Sequence, residues 1–299
     1  MQKLERITPK NIDSKEYFYG HKACAGCGCA LAVRLALKVI GDGAFSILPA
    51  GCMSAVGFIY PQMAFVNNSM ISTFPGAASL ASGVSVGNKA LKRQGTKTVV
   101  FAGDGGTADI GIQALSGMID RDDDVLYICY DNEAYMNTGI QKSGLTPFGA
   151  KTTTTPAGEN LRGTQTTKKQ LFEIIAAHNI KYAATASIGY YQDYINKVQK
   201  AISIKGATFI HVAASCPTGW GTPTETSVEI MKEAVDCGLW FLAEYENRKF
   251  TLNKDPKEFA SIAQYIKPQG RFKHLNDDDI KNIEESRDSF WNRVRKDWK

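Results

Sequence analysis

Four cysteines and two oxygen-bearing motifs carry the chemistry legible in this chain. Cys24 and Cys27 form a C-x-x-C pair, Cys52 follows 25 positions later, and Cys216 lies far downstream. Four thiolates are the standard shell of an iron-sulfur cluster, and Cys216-Pro217 matches the Cys-Pro ending seen in other cluster proteins. Zinc also accepts four thiolates in a tetrahedron. One pair plus two singles suits a cluster at a seam better than a zinc ribbon, which favours two pairs; inert buried thiols are the third reading.

Between Cys52 and Cys216 run Gly103-Asp104-Gly105-Gly106-Thr107-Ala108 and, 28 positions after Asp104, Asn132 in the stretch Asp131 to Gly139. The first also satisfies the loose dinucleotide pattern G-x-G-x-x-G/A. That pattern would set the Asp104 carboxylate against an anionic pyrophosphate unless a cation lay between them. Magnesium resolves the conflict, because it takes oxygen ligands from a carboxylate, phosphates and few other protein groups. Asp104, the Asn132 side chain and the Ala134 carbonyl could supply the protein side, with the amides opening the helix after Gly105 completing a phosphate cradle. Singly, each motif also reads as a turn: a capping aspartate at Asp104, an Asx-turn at Asn132.

The elements that must position these groups alternate. Ala30 to Ile40 reads as a helix stopped by Gly41, Phe45 to Leu48 as a buried strand delivering Cys52, and the small-residue stretch Gly76 to Gln94 as a closely packed helix. Thr98 to Ala102 is a strand ending at the Gly-Asp-Gly turn, Ile110 to Ile119 the following helix, and Val125 to Tyr130 a strand buried on both faces. Two adjacent strands thus end at the two polar motifs, where open α/β sheets place ligands. Gln141 to Thr167 shows no period and reads as a functional loop. Patterns resume at 168–178, 182–186, 191–204, 208–213, 227–237 and 239–245. The whole is a doubly wound, mainly parallel α/β domain over residues 1–255, with a helical arm over 256–299, ending in Trp291 and Trp298, lying on a partner.

Composition narrows the function classes. With 299 residues, 43% hydrophobic and 22% charged, the chain is an ordinary globular protein. A net charge of +5 without a Lys/Arg run speaks against nucleic acid, although it would help an acidic electron carrier dock. No secretory signal or membrane-length apolar run is present, so a cytoplasmic setting is expected. Seven cysteines in such a chain argue for thiolate ligands and buried thiols, not disulfides.

Over nearly its whole length the chain resembles the β subunits of 2-oxoacid:ferredoxin oxidoreductases, most closely the pyruvate enzymes. The resemblance rests on His21 to Gly28, Gly51-Cys52, Phe101 to Thr107, Tyr130 to Gln141 and Cys216 to Trp220. It implies a thiamine diphosphate pyrophosphate-domain fold, with Cys24, Cys27, Cys52 and Cys216 ligating one 4Fe-4S cluster near the thiazolium ring. It further implies Mg2+ on Asp104, Asn132 and Ala134, the cofactor contacted also by Gly103, Gly105, Gly106, Thr107 and Met136, and Asn137 facing the reacting carbon. Cys29, where relatives commonly carry alanine, is read as packing, as are Cys129 and Cys237. His21 is expected to satisfy a local backbone group, and His178, His211 and His274 to serve the core or surface.

The implied reaction is oxidative decarboxylation of a small 2-oxoacid, coenzyme A taking the acyl product and electrons leaving singly to ferredoxin. This chain carries the pyrophosphate half only. Partners are therefore expected to supply a pyrimidine domain and further clusters, and the chain alone to be inactive. Met53 to Pro61 departs from the family's acidic residue and Thr-Pro-Tyr-Pro segment after Gly-Cys. That departure makes oxalate a candidate beside pyruvate. A nicotinamide dehydrogenase and a zinc-stabilised assembly subunit are the more remote readings.

Overall fold

Strand propensity and burial dictate the scaffold: Val99–Ala102, Val125–Asp131, Tyr182–Ser187 and Thr208–Ala213 are buried throughout, as strands covered on both faces must be. The computed structural model describes residues 4–93 and 95–298; Met1–Lys3, Lys299 and Gln94, the last residue of the expected helix 76–94, lie outside the described residues.

Regular structure begins with α1 (Gly28–Ile40), β1 (Phe45–Pro49), α2 (Cys52–Gly57) and a hairpin of β2 (Phe58–Ile59) and β3 (Gln62–Met63). Next come β4 (Asn68–Ser72), α3 (Ala77–Ala90), β5 (Thr98–Gly103), α4 (Asp104–Ala108), α5 (Ile112–Asp120) and β6 (Val125–Asp131). The second half comprises α6 (Leu171–Ala176), β7 (Tyr182–Ser187), α7 (Tyr191–Ser203), β8 (Thr208–Ala213), α8 (Pro217–Trp220) and α9 (Ser227–Asp236). A hairpin of β9 (Ala243–Glu246) and β10 (Lys249–Leu252) precedes α10 (Ile262–Ile266) and α11 (Asp277–Asp297).

Among the described residues eight strands form one sheet in the order β10-β9-β7-β8-β6-β5-β1-β4. Six are mutually parallel; β9 runs against them, and β10, antiparallel to β9, returns to their direction. Helices cover both faces and divide the core into two clusters, one beneath α1 and α7, the other beneath α3, α5 and α6. No helix among the described residues is long and apolar enough to cross a membrane.

Four details differ from the sequence reading. The Gly-Asp-Gly motif is the start of α4, not a turn: Gly103 is its N-cap and Asp104 its first residue. The helix then breaks and restarts at Ile112, because the Asp109 carboxylate is drawn out to the Gly144 N–H (2.8 Å) and Lys169 (2.5 Å). Edge strand β4 carries the pattern Asn-Ser-Met-Ile-Ser, too polar to announce itself, and pairs in parallel with β1. The strand expected from Leu239 starts at Ala243 and continues into a hairpin. Finally, Trp291 and Trp298 are buried within this chain: the Trp291 indole donates to Gly238 O (2.8 Å), and Trp298 stacks on Phe250 at 4.6 Å and meets Phe172 edge-on at 5.7 Å. Trp298→Ala should cost about 3 kcal/mol of stability. A denaturant titration of the two proteins checks it; an unchanged midpoint would contradict this packing role.

The expected loop 141–167 carries no helix or strand. Its order comes from buried hydroxyls: Thr152 to Thr155 (2.7 Å), Thr155 to Thr164 (3.0 Å), Thr164 to Ala150 O (2.9 Å).

Candidate cofactor site and its cysteine ring

Gly103 of β5 pairs with Tyr130 of β6, so the residues after the two strands leave the sheet side by side. Asp104 is 1% exposed, and its Oδ2 accepts the Ser143 hydroxyl at 2.5 Å. One terminal atom of the buried Asn132 amide stands 3.0 Å from the Ala134 carbonyl oxygen and 3.1 Å from Asp104 Oδ1. As placed, that atom is the oxygen, and the amide nitrogen lies 3.4 Å from Cys29 Sγ. Turned over, the amide donates two hydrogen bonds; with its oxygen inward it faces two other oxygens, an arrangement that a bound cation would stabilise. The spacing suits one. In an octahedron of metal–oxygen bonds near ~2.1 Å, neighbouring oxygens stand about 3.0 Å apart.

Electrostatics point the same way. Burial, then the Asp131 charge, pushes the Asp104 carboxyl well above the usual range, with Ser143 opposing. A divalent ion would supply the missing countercharge. The donor set of one carboxylate, one amide and one carbonyl oxygen fits Mg2+; among the described residues no three His, Cys, Asp or Glu side chains converge as a single-ion site.

Glycines keep the mouth of this cradle open. A Cβ on Gly105 would stand 2.5 Å from the Tyr135 ring, whose hydroxyl donates to Gly105 O at 3.0 Å, and a Cβ on Gly103 would meet Tyr130 at 3.3 Å. The cleft is walled by Gly51, Cys52, Gly103 to Gly106, Asn132 and Ala134 to Thr138. Met136 and exposed Asn137 are thus brought to the site. Thr107 is not: its hydroxyl turns back to Gly103 O at 2.8 Å, fully buried.

The four cysteines come together from three chain segments. Cys27 caps α1, its sulfur accepting the Ala30 N–H at 3.5 Å; Cys216 caps α8, accepting from Gly219 N at 3.3 Å; Cys52 opens α2. The first loop is tied to the last by Gly28 N to Ser215 O (3.0 Å) and Ser227 Oγ to Gly26 O (2.6 Å). Their charges act on one another. The Cys52 thiol is pushed up to about 12, by burial first and then by Cys27, Cys216, Asp104 and Cys24; Cys216 rises to about 11, again by burial, with Cys27 and Cys24 adding to it. Cys27 is instead brought down to about 7, chiefly by a hydrogen bond from the Cys29 thiol. The four do not converge as a zinc centre requires. Cys129 and Cys237 are buried away from the ring, as expected of packing thiols.

Several contributors escape sequence reading because only the fold assembles them. Trp220 donates its indole N–H to Asn132 O at 2.9 Å, tying the oxygen cradle to the short helix that Cys216 caps. Arg271 lies 3.8 Å over that indole and pairs with Glu133 at 2.5 Å. Lys168 bridges Glu133 (2.6 Å) and Asp131 (3.3 Å), and His211 Nε2 is 2.9 Å from Asp131 Oδ2, a buried polar network behind the Asn132 loop. Burial works to raise the Asp131 carboxyl, but Lys168 and His211 outweigh it and hold it below its usual range. A larger, mostly apolar cavity beside this network is lined by Trp240, Leu239, Phe290 and Tyr265, and its Lys168, Lys169 and Arg287 are each paired with a carboxylate. His21, as expected, accepts a local backbone N–H, that of Ala23 at 3.3 Å.

Comparison with known proteins agrees with this geometry. Residues 49–212 match the family of thiamine pyrophosphate enzymes, C-terminal TPP binding domain. The pyruvate synthase subunit PorB of Methanocaldococcus jannaschii is 46% identical over 278 residues, spanning 90% of this chain and 93% of that one. The chain belongs to the 2-oxoacid:ferredoxin oxidoreductase family, as a β-type subunit. This β subunit is also 43% identical over 300 residues to the ketoisovalerate oxidoreductase subunit VorB of Pyrococcus furiosus, covering 98% and 96% of the two chains. It shares its fold with a 2-oxoglutarate:ferredoxin oxidoreductase from Magnetococcus marinus, TM-score 0.58 at 21% identity, covering 73% of this chain and 70% of that one. The β subunit is accordingly a thiamine pyrophosphate-binding subunit of an oxidoreductase, and Gly103–Ala108 lies inside the matched thiamine pyrophosphate domain.

Proposed function

We propose that this β subunit holds Mg2+-thiamine diphosphate on Asp104, Asn132 and Ala134 and a 4Fe-4S cluster on Cys24, Cys27, Cys52 and Cys216, for a 2-oxoacid:ferredoxin oxidoreductase. One observation carries the reading: Cys52 and the Asp104–Asn132 cradle wall the same cleft. Thiamine diphosphate, when bound, supplies the carbanion chemistry by which a 2-oxoacid loses carbon dioxide. The chain's own groups do the rest: the cradle anchors the anionic tail, Gly105 and Gly106 admit it, and Met136 and Asn137 stand at the mouth. Cys52, the cysteine shared with the cleft wall, keeps the electron acceptor beside it, and coenzyme A takes the acyl product.

The cleft walls carry Asp104 but no Lys, Arg or His among the described residues. The cation that recognises the substrate carboxylate therefore comes from a partner subunit, which makes this chain inactive alone. Residues 53–61 are equally without charge, which favours a 2-oxoacid with a neutral side chain, pyruvate or 2-oxoisovalerate, over the oxalate dianion. The relatives named for pyruvate and ketoisovalerate lean the same way. The exposed charged residues of α11, among them Asp277, Asp278, Lys281 and Glu285, are available to meet a partner. The enzyme works in the cytoplasm and delivers its electrons to ferredoxin.

The test is co-expression with the partner subunits, anaerobic purification, and viologen reduction with pyruvate, 2-oxoisovalerate, 2-oxoglutarate and oxalate. Reduction with one of the first two, together with retained thiamine diphosphate, is expected. Fastest turnover of oxalate would reverse the substrate assignment, and a complex without thiamine diphosphate would refute the cofactor site.

A further inference from the structure

The loop 141–167 reaches the oxygen cradle through one turn, Ser143 to Thr146, closed by Thr146 N–H to Ser143 O at 3.2 Å. Both of its hydroxyl residues are 1% exposed, and they serve different arms of the cradle. Ser143 Oγ is 2.5 Å from Asp104 Oδ2, while Thr146 Oγ1 is 2.7 Å from Glu133 O, the carbonyl between Asn132 and Ala134. Counting protons fixes the direction of both bonds. A backbone carbonyl only accepts, so the Thr146 proton goes to Glu133 O, and Thr146 in turn accepts the Ser143 N–H at 2.9 Å. Thr146 then has no proton left for Ser143 Oγ, 3.4 Å away, and the Leu145 N–H takes a lone pair of that hydroxyl at 3.1 Å. The Ser143 proton goes to the Asp104 carboxylate, the nearer of its two acceptors.

Both arms need holding. Glu133 stands at φ 66°, a left-handed conformation that is strained for a residue with a side chain, on the path that carries Asn132 and the Ala134 carbonyl. Its N–H is tied to Asp131 Oδ1 at 2.9 Å and its carbonyl to Thr146. Ser143 engages Asp104 Oδ2 and leaves Oδ1, the oxygen beside the Asn132 amide, to face the cradle. Neither bond depends on which way that amide points. The turn is itself anchored: Gly144 N donates to Asp109 at 2.8 Å, Gly144 O accepts from Lys169 N at 2.9 Å, and a Cβ on Gly144 would collide with the Asp109 carboxylate. We propose that Ser143 and Thr146 are positioning residues, a two-hydroxyl clip that preassembles the Asp104 arm and the 132–134 arm of the magnesium site before the ion arrives. The inference rests on the cofactor assignment above. Hydrogen bonds that orient metal ligands raise affinity for the metal, and their loss lowers it by about ten- to a hundredfold.

The experiment compares wild type, Thr146→Val, Thr146→Ser and Ser143→Ala in the assembled, anaerobically purified enzyme. Calorimetric titration of thiamine diphosphate at graded Mg2+ gives the Mg2+ concentration that half-saturates binding, and a thermal melt without ligand is recorded beside it. Thr146→Val, which keeps the shape and removes the hydroxyl, should raise that concentration about tenfold, and Ser143→Ala by a similar factor. Thr146→Ser, which keeps the hydroxyl, should stay within about twofold of wild type. A purely structural turn predicts a lower melting temperature with an unchanged Mg2+ requirement below the melt, and that result overturns the inference. A serine variant as impaired as the valine one also overturns it, because the effect would then belong to the methyl group. Should Thr146→Val fail to assemble, Ser143→Ala, which leaves Glu133 O its partner, decides the matter by the same two readouts. Wild-type enzyme that binds thiamine diphosphate without Mg2+ removes the cofactor assignment and this inference together; a Mg2+-dependent wild type matched by its variants removes the inference only.

Discussion

Asp104→Asn should abolish Mg2+-dependent thiamine diphosphate binding and leave the subunit no less stable than wild type. The two effects have one cause. The Asp104 carboxyl is buried beside Asp131, with Ser143 its one close donor, so ionisation there is resisted by burial first and by like charge second. Asparagine keeps the shape and an oxygen while removing the charge that both oppose. For the cation the loss is different in kind, because Asn132 and Ala134 contribute neutral oxygens and no other cleft-wall side chain is acidic. A loss of at least about a hundredfold in Mg2+ affinity is expected, since a buried charge partner is worth about 3 kcal/mol or more. Calorimetric titration with Mg2+-thiamine diphosphate and a thermal melt without ligand read the two effects separately. An asparagine variant that binds normally would remove Asp104 from the metal site; one that merely unfolds would make the residue structural.

Cys52→Ala should empty the cysteine ring of iron while sparing thiamine diphosphate. Each iron of a four-iron cluster takes one thiolate, so deleting one exposes a metal and destabilises the whole. Cys52 is the informative choice because it opens α2 and walls the cofactor cleft yet contributes no oxygen to the cradle. The assembled variant should lose about four irons per β subunit, and 2-oxoacid-driven viologen reduction with them. Retained iron with retained electron transfer would place the acceptor elsewhere. Loss of thiamine diphosphate along with iron would mean that the ring is a structural staple for the cradle.

The framework of the site is readable in the sequence because both motifs follow continuous apolar strands, Val99–Ala102 and Val125–Tyr130, and the parallel register Gly103↔Tyr130 brings their ends together. Apolar runs announce themselves; side-chain partners do not. Ser143 reaches Asp104 from a loop with no period, Tyr135 reaches back from its motif to Gly105, and Trp220 meets Asn132 across 88 positions. His211 reads as a lone core histidine until β8 is laid beside β6 and sets it against Asp131. Tryptophans at the end of a charged helix suggest an outward anchor, whereas the aromatic set Phe172, Phe241 and Phe250 draws Trp298 back onto its own sheet.

The central claim is that one cleft of this subunit serves both a magnesium-held pyrophosphate and an iron cluster. Anomalous diffraction at the iron edge, from anaerobically grown crystals of the assembled enzyme with thiamine diphosphate, tests it most directly. The account predicts an iron peak enclosed by the sulfurs of Cys24, Cys27, Cys52 and Cys216, and a pyrophosphate joined through one ion to Asp104, Asn132 and the Ala134 carbonyl. Cysteine sulfurs free of iron, or a cofactor tail bound away from Asp104, would contradict it.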